Sequence, residues 1–126
     1  MSIVLDASAL IAIERGDREM IALVKRERLA GRAPLTHGGV VGEVWRGGHG
    51  RQAALARLLP ALEVRAIDLD LGRRAGVLLA SAGGSDVLDA ALIAIAVDGD
   101  EVLTSDVGDL RALARAAGKI LDLIGV

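Results

Sequence analysis

The side chains best placed to do chemistry in this sequence are carboxylates. Residues 85 to 110, SDVLDAALIAIAVDGDEVLTSDVGDL, carry seven acids and no lysine or arginine, although half of the stretch reads as buried helix and strand. Asp86 and Asp89 are three apart, which puts both on one side of a helix. Asp89 sits between Leu88 and AALIAIA and is expected to be largely buried, where an ionised carboxylate is costly unless paired, protonated or metal-bound. Glu43 raises the same question among the apolar neighbours of VVGEVW. Asp6 follows the apolar run SIVL, and Asp106 follows EVLT by two residues. Each acid also has a plainer reading: Asp86 and Asp6 as helix caps, Asp89 and Glu43 as buried acceptors of backbone hydrogen bonds.

If the four converge, their chemistry is that of hard oxygen ligands. Mg²⁺ or Mn²⁺ held by carboxylates can polarise a phosphoryl oxygen, supply hydroxide near neutral pH and stabilise a leaving oxygen. Asp6 and Asp89 are the expected direct ligands. Glu43 and Asp106 are expected to act through water, with Asp106 also a candidate ligand. A zinc site is excluded by the absence of cysteine and the isolation of His37 and His49. Ser8, Thr104 and Ser105 are spaced to hydrogen-bond carboxylate or phosphate, or else to make local turn bonds. Arg46, three after Glu43, is a candidate for holding substrate phosphate or for a surface ion pair. His37 is expected to cap a helix or lie at the surface. GGHG (47–50) lacks the Lys-Ser/Thr of a phosphate loop. Trp45 is the only aromatic residue, so any nucleic-acid recognition must rest on arginines and shape rather than stacking.

The elements that position these residues alternate in type. SIVL (2–5) reads as a strand and ASALIAIERG as a helix stopped by Gly16. Asp17 caps a helix to Gly31. APLT (33–36) is a strand, VVGEVWRGG a brief helix, RQAALARLLPAL a helix up to Pro60, EVRAID (63–68) a strand and residues 69–82 a helix. After Gly83 and Gly84, Ser85 or Asp86 caps a helix to about Val97. EVLT (101–104) is a strand, DLRALARAAG a helix and KILDLIGV a last strand. This alternation predicts one α/β domain over residues 1–126, a sandwich with a mostly parallel sheet. Ligands bind beyond the carboxyl ends of such strands, where Asp6 and Asp106 both fall.

The bulk numbers are consistent with that frame. A chain of 126 residues suffices for a single core. Its longest apolar run, AALIAIAV, is far too short to span a bilayer, and the N-terminus has no cationic leader, so a cytoplasmic protein is expected. Net charge is only −2, but residues 15 to 74 hold twelve Lys/Arg against seven acids. Such polarity suits an acidic centre flanked by phosphate-binding arginines.

VLDASALIA, VVGEVWR, DAALIAIA and VLTSDVGDL together resemble, in order and across essentially the whole chain, the four acidic motifs of the PIN-domain ribonucleases, most nearly the VapC toxins of bacterial toxin-antitoxin pairs. The resemblance implies a PIN-like three-layer sandwich and a Mg²⁺- or Mn²⁺-dependent endoribonuclease. It places Asp6, Glu43, Asp89 and Asp106 in the acidic quartet, with Asp109 as an auxiliary acid, although many relatives carry Asn where this chain has Asp106. It also implies an RNA substrate, a cognate antitoxin and a homodimer. A housekeeping RNA-processing PIN nuclease without antitoxin stays open, as does a non-enzymatic Mg²⁺-binding switch resembling a response-regulator receiver. Against the receiver, Asp6 stands alone where paired acids belong.

Overall fold

Every strand of the sheet pairs in parallel, so each must be reached through a helical crossover. The computed structural model describes residues 1–84 and 86–126. In it β1 (Ile3–Leu5), β2 (Leu35–His37), β3 (Glu63–Arg65), β4 (Glu101–Thr104) and β5 (Asp122–Gly125) lie in the order β3-β2-β1-β4-β5. From β1 the chain steps outward through α1 (Ala7–Glu14) and α2 (Arg18–Leu29) to β2, then through α3 (Gly38–Val44) and α4 (Ala53–Leu58) to β3. It then returns through α5 (Leu69–Ala82) and α6 (Val87–Ile95) to β4, on the other side of β1, and ends with α7 (Val107–Ala117) and β5. Right-handed crossovers put the first four helices on one face and the last three on the other. The helix contacts agree: α1 packs on α2, α3 and α4, while α5, α6 and α7 pack on one another.

The reversal of direction falls between β1 and β4. Ile3, Val4 and Leu5 pair with Glu101, Val102 and Leu103, so the carboxyl ends of the two strands are level and open a crevice between diverging crossovers. Beneath it lies a core of β1, β4 and α6, with Val4, Leu5, Leu92, Ile93 and Val102 fully buried. Each such side chain contributes roughly 1.5–3 kcal/mol by leaving water.

Several boundaries differ from the sequence pattern. β2 begins at Leu35, not Ala33, because Pro34 has no N–H for the ladder. β3 stops at Arg65 on the sheet's edge, leaving residues 66–68 exposed. The expected helix from Arg51 up to Pro60 is a short α4 between two 3-10 turns, Gly50–Gln52 and Leu59–Ala61, the second containing Pro60. α6 ends at Ile95 rather than Val97, where Ala96 turns extended. Asp86 caps α6; Ser85, the other candidate, lies outside the described residues.

Candidate active site at the β1–β4 switch point

Asp6 leaves β1 and enters α1 in one step. Its backbone N–H continues the ladder to Leu103, and its Oδ1 accepts the Ala7 N–H at 2.7 Å. The expected cap is therefore present, but it uses one oxygen only. Oδ2 accepts the hydroxyl of fully buried Thr104 at 2.8 Å, and Thr104 Oγ1 in turn accepts the Asp106 N–H at 2.9 Å. One threonine thus ties the acid after β1 to the acid after β4. Asp106 occupies the N-cap position of α7, yet its carboxylate makes no capping bond and remains exposed over the crevice.

Asp89 reaches the same place from α6. Its side chain is half-buried in the helix's first turn, not largely buried as its neighbours in sequence predict. Burial, then the charges of Asp86, Asp6, Asp106 and Glu43, push its carboxyl up to about 7. Glu43 differs more from expectation, for it is exposed. Val40 and Val44 take the inward face of α3, and Glu43 falls beside them at the crevice rim. Partial desolvation, then Asp6, Asp86 and Asp106, raise it above the ordinary glutamate range. The four predicted acids therefore share one electrostatic site. Asp86 belongs to it as well, since its Oδ1 caps α6 through the N–H groups of Leu88 (2.9 Å) and Asp89 (3.1 Å) while its charge is the largest acting on Asp89. The Asp-x-x-Asp spacing was the available signal.

α3 is fastened to α6 by residues whose part the sequence does not reveal. His37 is fully buried at the end of β2. Its Nδ1 accepts the Val40 N–H at 3.2 Å and its Nε2 lies 2.8 Å from the Leu88 carbonyl, next to Asp89. The expected cap is real, and the surface alternative is not. Gly39 lets the two helices approach closely, since a Cβ there would come within 2.5 Å of a Leu88 methyl and make that side chain shift.

The auxiliary candidates divide. Thr104 is central, as above. Ser105 is exposed beside Asp106. Asp109 joins Asp86 and Asp89 around a cleft of about 300 Å³ floored by Leu79, Ala82 and Leu113. Ser8 Oγ is sequestered from solvent with no hydrogen-bond partner. Arg46 makes no ion pair with Glu43; its Nη1 donates to the carbonyls of Gly42 (3.1 Å) and Trp45 (2.7 Å), closing the end of α3. Gln52, which sequence analysis passed over, is buried and binds Glu14, the Val44 carbonyl and the N–H groups of Arg46 and Gly48.

The acids of residues 85–110 serve two ends of the molecule. Asp86, Asp89, Asp106 and Asp109 lie at the carboxyl ends of the strands. Asp100, buried at the opposite edge, accepts the N–H groups of Ser2 (2.7 Å) and Val97 (2.9 Å). At that edge Lys119 Nζ donates to the carbonyls of Ile93 (2.8 Å), Ala94 (2.9 Å) and Ala96 (2.6 Å), the C-terminal end of α6.

Among the described residues no three His, Cys, Asp or Glu side chains stand close enough to form a ready-made metal cage. The donor chemistry still fits a hard divalent cation: all oxygen, mutually repelling, and with Asp89 and Glu43 raised by charges that a cation would offset. Mg²⁺ commonly takes only one or two protein carboxylates, with water and phosphate completing its shell.

A parallel five-stranded sheet with carboxylates gathered at its switch point is the arrangement of a PIN-like α/β sandwich. Among solved structures, the chain superposes on one in the VapBC2 complex of Rickettsia felis bound to a DNA fragment from their promoter. The TM-score is 0.69 at 15% identity, over 98% of each chain. It also aligns with VapC20 of Mycobacterium tuberculosis, a sarcin-ricin loop cleaving toxin, with a TM-score of 0.48 and 22% identity over 94% of this chain and 85% of that one. No family model and no curated protein matches the chain. The fold is that of a PIN-like α/β sandwich, shared with a chain of that VapBC2 complex.

Proposed function

We propose that the chain is a divalent-metal-dependent endoribonuclease toxin, hydrolysing RNA phosphodiester bonds at Asp6, Glu43, Asp89 and Asp106 and neutralised by a cognate antitoxin. The observation that carries this reading is the convergence of acids from four separate segments on the β1–β4 crevice, where burial and their mutual repulsion hold Asp89 at about 7. Asp6 has structural partners for both oxygens, but the carboxylates of Glu43, Asp89 and Asp106 make no hydrogen bond or ion pair among the described residues, and binding a cation would account for their crowding. Asp6 and Asp89, with Asp106, would hold Mg²⁺ or Mn²⁺, and the ion when bound would supply a Lewis acid and activated water. Thr104 fixes Asp6, the α6 cap fixes the first turn that carries Asp89, and Glu43 at the rim would bind the ion through water or orient the attacking water. The likeness to a chain of the VapBC2 complex supports a protein partner, and a homodimer belongs to the same reading.

The purified chain is expected to cut RNA with Mg²⁺ or Mn²⁺ and to stop on EDTA, and Asp89→Asn should abolish cutting while keeping the fold. Robust cleavage with every divalent ion removed overturns the metal mechanism. Growth arrest by the wild type but not by Asp89→Asn separates a toxin from a housekeeping nuclease.

A further inference from the structure

A second cleft, of about 600 Å³, lies along α1. Ser8, Ile11, Ala12 and Arg15 line it from the helix, and Ser105 from the end of β4. Ser8 follows Asp6 by two residues and Ser105 directly precedes Asp106, so the cleft lies beside the crevice. Three polar residues lining this cleft make no side-chain hydrogen bond or ion pair among the described residues. The Ser8 hydroxyl has no hydrogen-bond partner. Ser105 is exposed, and the exposed Arg15 guanidinium enters none of the ion pairs found among the described residues. The one carboxylate here, Asp17, is committed to capping α2 through the Met20 N–H at 3.1 Å.

An acidic crevice repels a polyanion, so a nucleic-acid strand entering it needs cations along its path. We propose that this cleft is a phosphodiester subsite for the RNA strand outside the scissile bond, with Arg15 binding one backbone phosphate and the Ser8 and Ser105 hydroxyls donating to the next towards the acids. The assignment rests on the ribonuclease reading. α1 rises about 12 Å over its length, which sets Arg15 too far from Asp6 for the scissile phosphate itself. Ser8 Oγ is sequestered in its present position, so its part in the subsite requires a turn about χ1 towards the cleft. No hydrogen bond opposes that turn.

The test is binding rather than cleavage. A fluorescein-labelled single-stranded RNA is titrated with Mg²⁺ into Asp89→Asn protein, with and without Arg15→Gln, over a range of salt. Removing one phosphate contact should weaken binding and make the slope of log K against log salt shallower by about 0.7. Arg28→Gln, at the far end of α2, makes the same charge change and should leave the slope alone. Equal slopes with and without Arg15→Gln overturn the subsite, as does an equal loss from the Arg28 variant. Ser8→Ala should weaken RNA binding without lowering the melting temperature, since it deletes a hydroxyl that bonds nothing. A lower melting temperature with unchanged RNA binding makes Ser8 structural and overturns its part. A wild type that binds RNA with the Arg15-dependent slope but never cuts it sinks the nuclease reading and leaves the subsite standing.

Discussion

The Thr104 hydroxyl lies 2.8 Å from Oδ2 of Asp6 and bonds the first acid of the sequence to the last residue of β4. It is also the acceptor for the Asp106 N–H. Thr104→Val keeps the shape and removes both bonds, leaving a buried carboxylate oxygen and a backbone N–H unpartnered. The loss should be about 2 kcal/mol in urea unfolding, and RNA cleavage should fall with it, whereas Thr104→Ser should retain most of both. A valine variant as stable and active as the wild type removes this bond from the account of the site.

Asp89 predicts a pH dependence. Folding raises its carboxyl from 3.8 to about 7, so over that interval the folded chain holds a proton that the unfolded chain releases. Its contribution is intact below about pH 4 and is lost as pH rises to about 7. Glu43 shifts in the same direction. Allowing for partial exposure and solvent screening, metal-free protein should be about 2 kcal/mol less stable at pH 8 than at pH 5 on this account. Asp89→Asn should flatten that difference and stabilise the EDTA-treated protein at pH 8. Unfolding curves at the two pH values, with the same slope in both proteins, would count against the coupling.

Asp86 separates capping from charge. Asp86→Asn retains an acceptor for the Leu88 and Asp89 N–H groups, so the melting temperature should hardly change. It deletes the largest charge acting on Asp89, whose carboxyl should then titrate lower. NMR titration of the Asp89 carboxyl carbon reads this directly. An unmoved titration means the two carboxylates do not feel one another.

At the other end of α6, Lys119→Met should lower stability by roughly 2–4 kcal/mol, because three carbonyls lose a shared charged donor. Burial and then Arg74 already draw the ammonium below the usual lysine range, with Asp98 and Asp100 opposing. Arginine has no equivalent reach to three converging oxygens, so Lys119→Arg should restore little. Thermal melts of the two variants check this.

The strand ends and their acids were legible in the sequence because SIVL-Asp6 and EVLT-Ser105-Asp106 each join an apolar run to a polar stop, and the alternation of elements then sets the sheet. Glu43 was misjudged because apolar neighbours indicate burial only after the helix face is known. In α3, Val40 and Val44, one turn apart, take the inside and turn the acid outward. Asp89 reads as deeper than it is because the apolar run lies after it, beneath the helix's first turn. Gln52, Lys119 and the His37 contact with Leu88 carry no local pattern. Their partners are carbonyls from other segments of the chain, set only by how the layers pack.

The wiring of the β1–β4 pair bears on when activity can begin during synthesis. Asp6 leaves the ribosome 98 residues ahead of the threonine that orients it, and the acid beside that threonine follows at position 106. Until then β1 lacks its β4 neighbour and Asp6 has only the Ala7 N–H. A nascent or prematurely released chain ending before β4 therefore lacks the strand pairing and the threonine that orient Asp6, and on the proposed function it would have no assembled centre.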